Sequence, residues 1–443
     1  MKMGMDNEVV PLLKKKDTHV NITANTEAQL LQKTGRVKKT KARQTAILGA
    51  CMYMHLMSLG FTVALGVIYV ELIRYFDTKR SLAATVQSLF QGLTFLGGIA
   101  FSPIVIRFGV GKCTMIASTC GALSLFISIW SVNIYMVIVC IGFFGGLCMS
   151  VNYLSAFVAV GWTFSGHRKA ALAALTMATA LGQIFLPNLI EALIEQYGWT
   201  GACMVASGLM LNSLPCGLIL YFSKHTFQEN VNNSSSSSLK VCTCSSKKDV
   251  AFIVFLIVCL IYPGWGAVES WFIVDLTVLR GYGRQAGTVL LSLLGIFGLL
   301  GRMMGTALLT VFPTLSMAVP LASVFQFFAL GHFIVIYLET YNGMLVGCLI
   351  RGLSIGAIMC FQPSMLLELR GIDRFPRTVA ICNCFTGIVQ IISGYLGGTV
   401  ADLTGGYDIA FYVATITAAV SGMCLIIVKC LINIGKKTNL QTE

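Results

Sequence analysis

Residues 287–310 read GTVLLSLLGIFGLLGRMMGTALLT, an unbroken apolar stretch whose single charge is Arg302. As a helix rising 1.5 Å per residue it spans about 36 Å, enough to cross a hydrocarbon layer of about 30 Å. Its apolar residues do not alternate, as a barrel strand would require. Gly295, Gly298, Gly301 and Gly305 let a neighbouring helix approach closely where lipid supplies no hydrophobic drive. Working outward, the same pattern recurs at 46–70, 84–106, 113–131, 134–158, 170–193, 201–222, 250–274, 315–338, 343–366, 378–399 and 409–434. The expected fold is therefore an all-α membrane protein with twelve transmembrane helices.

Composition points the same way. The 443 residues are 56% hydrophobic and only 11% charged, against about 25% charged in soluble domains. That balance excludes an ordinary cytosolic enzyme, a disordered chain and a secreted disulfide scaffold. The longest internal polar stretch, 223–249, holds Ser234 to Ser238 and Lys247-Lys248 and splits the spans six and six. The expected organisation is an N-terminal tail (1–44), a six-helix half (45–222), a central loop (223–249), a second six-helix half (250–434) and a C-terminal tail (435–443). Two six-helix halves around a central site is an arrangement of secondary transporters.

Lysine and arginine set the expected orientation. With both termini cytoplasmic, only Arg74, Lys79, Arg80, Arg280 and Arg284 fall outside, and Arg302 and Arg351 lie within spans. The net charge of +13 then reports topology, and no nucleic-acid partner is implied. None of the 16 cysteines falls in an expected outer loop, so no extracellular disulfide is implied. Cys242 and Cys244 are expected as reduced thiols of the inner loop rather than a metal site. No signal peptide is expected, and no Walker loop, nucleophile elbow or zinc-spaced His/Glu set occurs. Neither catalysis, a metal nor a cofactor is expected.

Charges inside a bilayer cost at least about 2.5–3.5 kcal/mol and are functional candidates for that reason. Arg302 has a permanently charged guanidinium that matches a carboxylate bidentately. A buried cation without a neighbouring acid suits an anionic substrate; the alternative is snorkelling to the headgroups. Arg351 has no acid at i±3 or i±4, so it is either a second anion contact or the partner of an acid on another helix. His55, mid-way along the first span, titrates in the range of a proton carrier, or else stays neutral on a backbone carbonyl. His332 reads as structural. Tyr69 on span one, Asn152 on span four and Gln183 on span five are candidates to complete a substrate cavity, although helix–helix hydrogen bonding explains such residues equally. Glu71, Glu269 and Asp275 are expected as solvated rim acids. Pro263-Gly264-Trp265-Gly266 interrupts span seven, as a gate or a simple kink.

Several stretches resemble the monocarboxylate transporter family of the major facilitator superfamily. They are Leu65 to Glu71, Gln196 to Ala202, Gly208 to Asn212, Leu291 to Phe297 leading into Gly301-Arg302, Gln362-Pro363, Gly406 to Asp408 and Phe411-Tyr412. The resemblance runs over about 46–434. It implies the major facilitator fold, organic-anion binding at Arg302 and, for some relatives, a single-span accessory glycoprotein. The chain departs from the family before helix one, where Lys41-Ala42-Arg43-Gln44 stands. It also lacks the helix-one lysine and carries Gly298 where proton-coupled members have an aspartate.

The expected function is alternating-access transport of small monocarboxylates of the lactate and pyruvate kind, with proton coupling open. Rivals are a pH-independent uniporter of aromatic amino acids, thyronine-like hormones or other neutral or zwitterionic solutes, and a non-transporting receptor or scaffold. The plasma membrane is the expected location. Glu8 followed by Leu12-Leu13 resembles an endosomal sorting signal, which makes endosome or lysosome the alternative.

Overall fold

The computed structural model describes residues 9–164, 168–223, 246–312 and 316–440, and among the described residues there is no strand. Glu8, His167, Cys242, Cys244 and the serine run lie outside them. Met1–Gly49 and Ala50–Glu443 are separate compact units. The first is helical from Val9; the architecture that follows is that of the second, from Ala50 onward.

Among the described residues, eleven helices are long and apolar enough to cross a bilayer. One of them, Ala171–Phe222, has 52 residues, about 78 Å of helix and more than twice the hydrocarbon thickness. It turns at Gly198, with φ 69 and ψ 178, a conformation that only glycine adopts without strain. Two crossings result, 171–197 and 199–222, and the total is twelve. Gly371, with φ 71 and ψ 174, likewise separates the tenth helix from the eleventh.

In chain order the first half holds α1 (Ala42–Phe76), α2 (Arg80–Phe108), α3 (Val110–Trp130), α4 (Ile134–Thr163), α5 (171–197) and α6 (199–222). The second holds α7 (Val250–Leu279), α8 (Arg284–Val311), α9 (Ala318–Tyr337), α10 (Tyr341–Gly371), α11 (Thr378–Thr404) and α12 (Asp408–Leu431). Within α7, helix Ser246–Trp265 ends at the glycine pair around Trp265 and restarts at Val268.

The halves meet along seams of small residues. On α2 and α11, a Cβ at Gly398 would lie 2.6 Å from Ser81 Cα, one at Gly394 would strike Ser88, and one at Gly387 would lie 2.9 Å from Leu96 N. On α5 and α8, a Cβ at Gly295 would lie 2.8 Å from Ile184 Cγ1. Backbones this close gain dispersion contacts that larger side chains would prevent.

Candidate functional site

The seams close one end of the bundle. Arg284, the first residue of α8, places Nη1 2.6 Å from Glu71 Oε2 of α1 and Nε 2.8 Å from Glu191 Oε1 of α5. One guanidinium thus bridges two carboxylates across the halves, and Arg74 adds a second cation 4.0 Å from Glu71 Oε2. Arg80, at the start of α2, places Nε 2.9 Å from Asp275 Oδ2 of α7. Its backbone N–H and that of Ser81 donate to the two oxygens of Asp402 on α11, at 2.8 and 2.9 Å; an acid at a helix N-terminus is favoured by the dipole. Tyr407 donates to Asp275 Oδ2 at 2.6 Å, so at the 2.8 Å contact between the two hydroxyls it is Tyr69 that donates.

Deeper in, Trp271 Nε1 donates to Gln91 Oε1 at 2.8 Å and Asn188 Nδ2 donates to Ser292 Oγ at 2.7 Å. These, with Gln87 to Trp271 O and Ser292 to Ile184 O, are the deepest polar contacts between the halves in which both partners are described. Ile184 is mid-way along α5.

Arg302 lies further along α8 than the residues of this seam. It is seven residues beyond Gly295, about 10.5 Å further along α8 and on the same face. The stripe Arg284, Thr288, Gly295, Arg302 therefore lies on one face, and its first three members meet the first half. On the neighbouring face, a Cβ at Gly301 would strike Leu353 O, and one at Gly356 would lie 2.8 Å from Arg302 N. This glycine packing holds the Arg302 backbone against α10. Arg302 is only 5% exposed, and its Nε and Nη1 have no hydrogen-bond partner among the described residues. No acid stands within ion-pair distance of it there.

Arg351 is in a different situation. Its Nε is 2.8 Å from Glu269 Oε2, and Nη2 donates to Gly266 O at 2.6 Å and to Ser270 Oγ at 3.3 Å. The guanidinium also stands over the Phe328 ring at 5.2 Å. Of the two roles open from the sequence, Arg351 has the partner on another helix. The break in α7 explains one of its bonds, because Gly266 O is released from the helical ladder and turned to Arg351.

The remaining candidates scatter. Tyr69 belongs to the closed end. Asn152 is 1% exposed, accepts from Ser118 Oγ at 3.4 Å and so joins α4 to α3. Gln183 is half-buried on α5, beside Gly295. His55 is 1% exposed and packs against Tyr153 at 4.8 Å and Phe157 at 4.6 Å, with Nε2 unpartnered. Phe95 of α2 completes this aromatic group, 5.7 Å from Tyr153.

The rim acids require correction. Glu269 is 0% and Asp275 4% exposed, and Glu71 is held by Arg284. Hydropathy places all three near span ends, but their basic partners come from other helices and draw them inward. Outside the spans, burial lowers the Arg280 guanidinium from its ordinary value, against the opposing pull of Asp408 and Glu339. It donates to Val335 O at 2.8 Å and so ties the α7–α8 turn to α9.

Comparison with known proteins fits this architecture. The family model of the Major Facilitator Superfamily matches residues 48–371. Monocarboxylate transporter 6 of Mus musculus is 24% identical over 378 residues, covering 81% of this chain and 81% of its own. Monocarboxylate transporter 4 of Gallus gallus is 24% identical over 388 residues, covering 86% and 81%. The crystal structure of a POT family transporter in complex with 5-aminolevulinic acid superposes with a TM-score of 0.71 at 11% identity, covering 86% of this chain and 95% of that one. The chain belongs to the Major Facilitator Superfamily, as an integral membrane transporter of organic solutes rather than an enzyme.

Proposed function

We propose that this protein carries small monocarboxylates of the lactate and pyruvate kind across the membrane by alternating access, with Arg302 binding the carboxylate. The observation that carries this is a buried guanidinium with Nε and Nη1 unpartnered among the described residues, on the face of α8 that meets the first half at Gly295. Charge-assisted bonds to a carboxylate satisfy both nitrogens and offset the cost of the buried cation. The similarity to monocarboxylate transporters over most of the chain supports the same substrate class.

Rocking of residues 45–222 against 250–434 then alternates access. With both termini cytoplasmic, as the lysine and arginine bias indicates, the end closed by Arg284 and Arg80 faces outward. The plasma membrane is the proposed location, and a single-span accessory glycoprotein a proposed partner.

A second reading has one observation in its favour. His55, Phe95, Tyr153 and Phe157 bring an aromatic group together from α1, α2 and α4, which suits a substrate bearing an aromatic ring. Uptake of labelled pyruvate into proteoliposomes separates the two. Saturable uptake inhibited by lactate supports the first. Absence of pyruvate uptake, with saturable uptake of an aromatic amino acid, replaces it with the second.

A further inference from the structure

One stretch of α4 departs from α geometry. Ile138–Gly145 is π-helical, and its i→i+5 bonds make each turn wider and hold more residues than an α turn does. Gly142, Gly145 and Gly146 carry this stretch past α2. A Cβ at Gly142 would lie 3.1 Å from Val86 O, and one at Gly146 would lie 2.8 Å from Phe90 O. At these contacts α4 offers bare backbone with no side chain to interlock, so the stretch can rewind in place.

The α-helical remainder, Gly146–Thr163, is poorly matched to its neighbours. Ser150 Oγ, Asn152 Nδ2 and Ser155 Oγ are buried without a hydrogen-bond partner among the described residues, and so is His55 Nε2 of α1. Buried polar groups are ordinarily paired. The places beside His55 are taken instead by Tyr153 and Phe157, with ring centres 4.8 and 4.6 Å away.

Closing the wide turns to α geometry changes that match. The same residues then form a longer and more tightly wound helix. With the outer end held, the remainder of α4 is driven inward and turned, each residue towards the place of the next. One residue of advance is about 100° and 1.5 Å. Asn152 then takes the place of Tyr153, and Ala156 that of Phe157. An amide both donates and accepts, so it satisfies His55 Nε2 in either tautomer, and Ala156 leaves space where a ring stood. The added length has an outlet, because α4 ends at Thr163 and Phe164 has left helical geometry at φ −112 and ψ 71.

We infer that Ile138–Gly145 is a two-position register switch, which exchanges an aromatic wall at His55 (Tyr153 and Phe157) for a small polar one (Asn152 and Ala156). The wall stands near the depth of Arg302. A Cβ at Gly60 of α1 would lie 2.6 Å from Gly182 Cα, and one at Gly295 of α8 would lie 3.1 Å from the carbonyl carbon of Gln183, so both pack on one turn of α5. From those contacts His55 lies five residues inward along α1, about 7.5 Å, and Arg302 seven residues inward along α8, about 10.5 Å. The aromatic position narrows the space at that depth and the polar position widens it. This part in transport rests on the carboxylate reading above; the switch itself does not.

Fluorine NMR of the full chain in lipid nanodiscs tests the switch, with Phe157→4-trifluoromethylphenylalanine reporting the surroundings of that ring. Without substrate, two resonances are expected, or one showing relaxation dispersion on the μs–ms timescale of helix register shifts. His55→Leu is expected to move only the resonance of the packed ring. Deletion of Val139, 48% exposed on α4, removes the residue that the wide turns hold in excess and leaves the remainder of α4 where it stands. It is expected to abolish the second resonance and, in proteoliposomes, pyruvate counterflow. A single resonance without dispersion, with pyruvate present or absent, overturns the switch, whether or not the deletion variant folds. A deletion variant that carries pyruvate at the wild-type rate overturns the switch's part in transport. Two resonances in a wild-type chain that carries no pyruvate overturn the carboxylate reading and leave the switch standing.

Discussion

Arg80 Nε and Asp275 Oδ2, 195 positions apart in sequence, stand 2.9 Å apart and tie α2 of one half to α7 of the other. The same carboxylate oxygen accepts from Tyr407 at 2.6 Å, so one buried acid ties α2 and the turn leading into α12 to α7. Asp275→Asn removes the charge and keeps the shape, and the closed end is expected to open more often. The measurement is labelling of a cysteine placed at Gln87, 1% exposed here, by an impermeant maleimide from the outer side. Faster labelling in the Asp275→Asn background is expected; an unchanged rate counts against the closure.

Arg351 is the positive partner of a carboxylate buried at 0% exposure. Arg351→Ala leaves that carboxylate uncompensated, and breaking a buried pair from one side costs about 3–5 kcal/mol. Thermal unfolding in detergent is expected to show a marked loss. The double variant Arg351→Met with Glu269→Gln removes both charges and is expected to recover most of it. A double variant as unstable as the single one would contradict the pairing.

Arg302 predicts the opposite sign. A buried guanidinium with unpartnered nitrogens is a liability to the fold, by about 1–3 kcal/mol or more. Arg302→Met keeps much of the volume and drops the charge, so the substrate-free protein is expected to melt higher than wild type. A large loss of stability would mean that Arg302 has a structural partner.

Gly301 sets the distance between α8 and α10. Its added Cβ would strike Leu353 O, with Leu353 C at 2.9 Å, and backbone cannot move aside as a side chain can. Gly301→Val is expected to cost about 1–3 kcal/mol by overpacking and to displace Arg302 with it. A variant of wild-type stability and transport would show that α8 has room.

The helices were readable because each span carries its own signal: length, apolar content and glycine content are local. Gly198 falls in the interval between expected spans five and six, where a polar Gln196-Tyr197 interrupts the apolar run. Arg302 was legible for the same reason, as one charge in 287–310. What the sequence hides is pairing. Glu269 and Arg351 are 82 positions apart, and Glu71 finds Arg284 213 positions away. Neither spacing leaves a trace in a single sequence. Tyr69 and Asn152 looked like cavity residues because a polar group in a span must bond to something. Their partners, Tyr407 and Ser118, are visible only once the helices are packed. The one usable signal was the count of acids near span seven, where Glu269 and Asp275 sit six residues apart on a helix too apolar to carry them unpaired.

The central claim is that Arg302 receives the substrate carboxylate. Its most direct test is counterflow of labelled pyruvate in proteoliposomes, wild type against Arg302→Ala, at equal pH on both sides. The account predicts saturable exchange by wild type. In the variant it predicts a loss on the order of a hundredfold, the effect of removing hydrogen bonds to a charged group. Arg302→Ala exchanging pyruvate as fast and as tightly as wild type would contradict it.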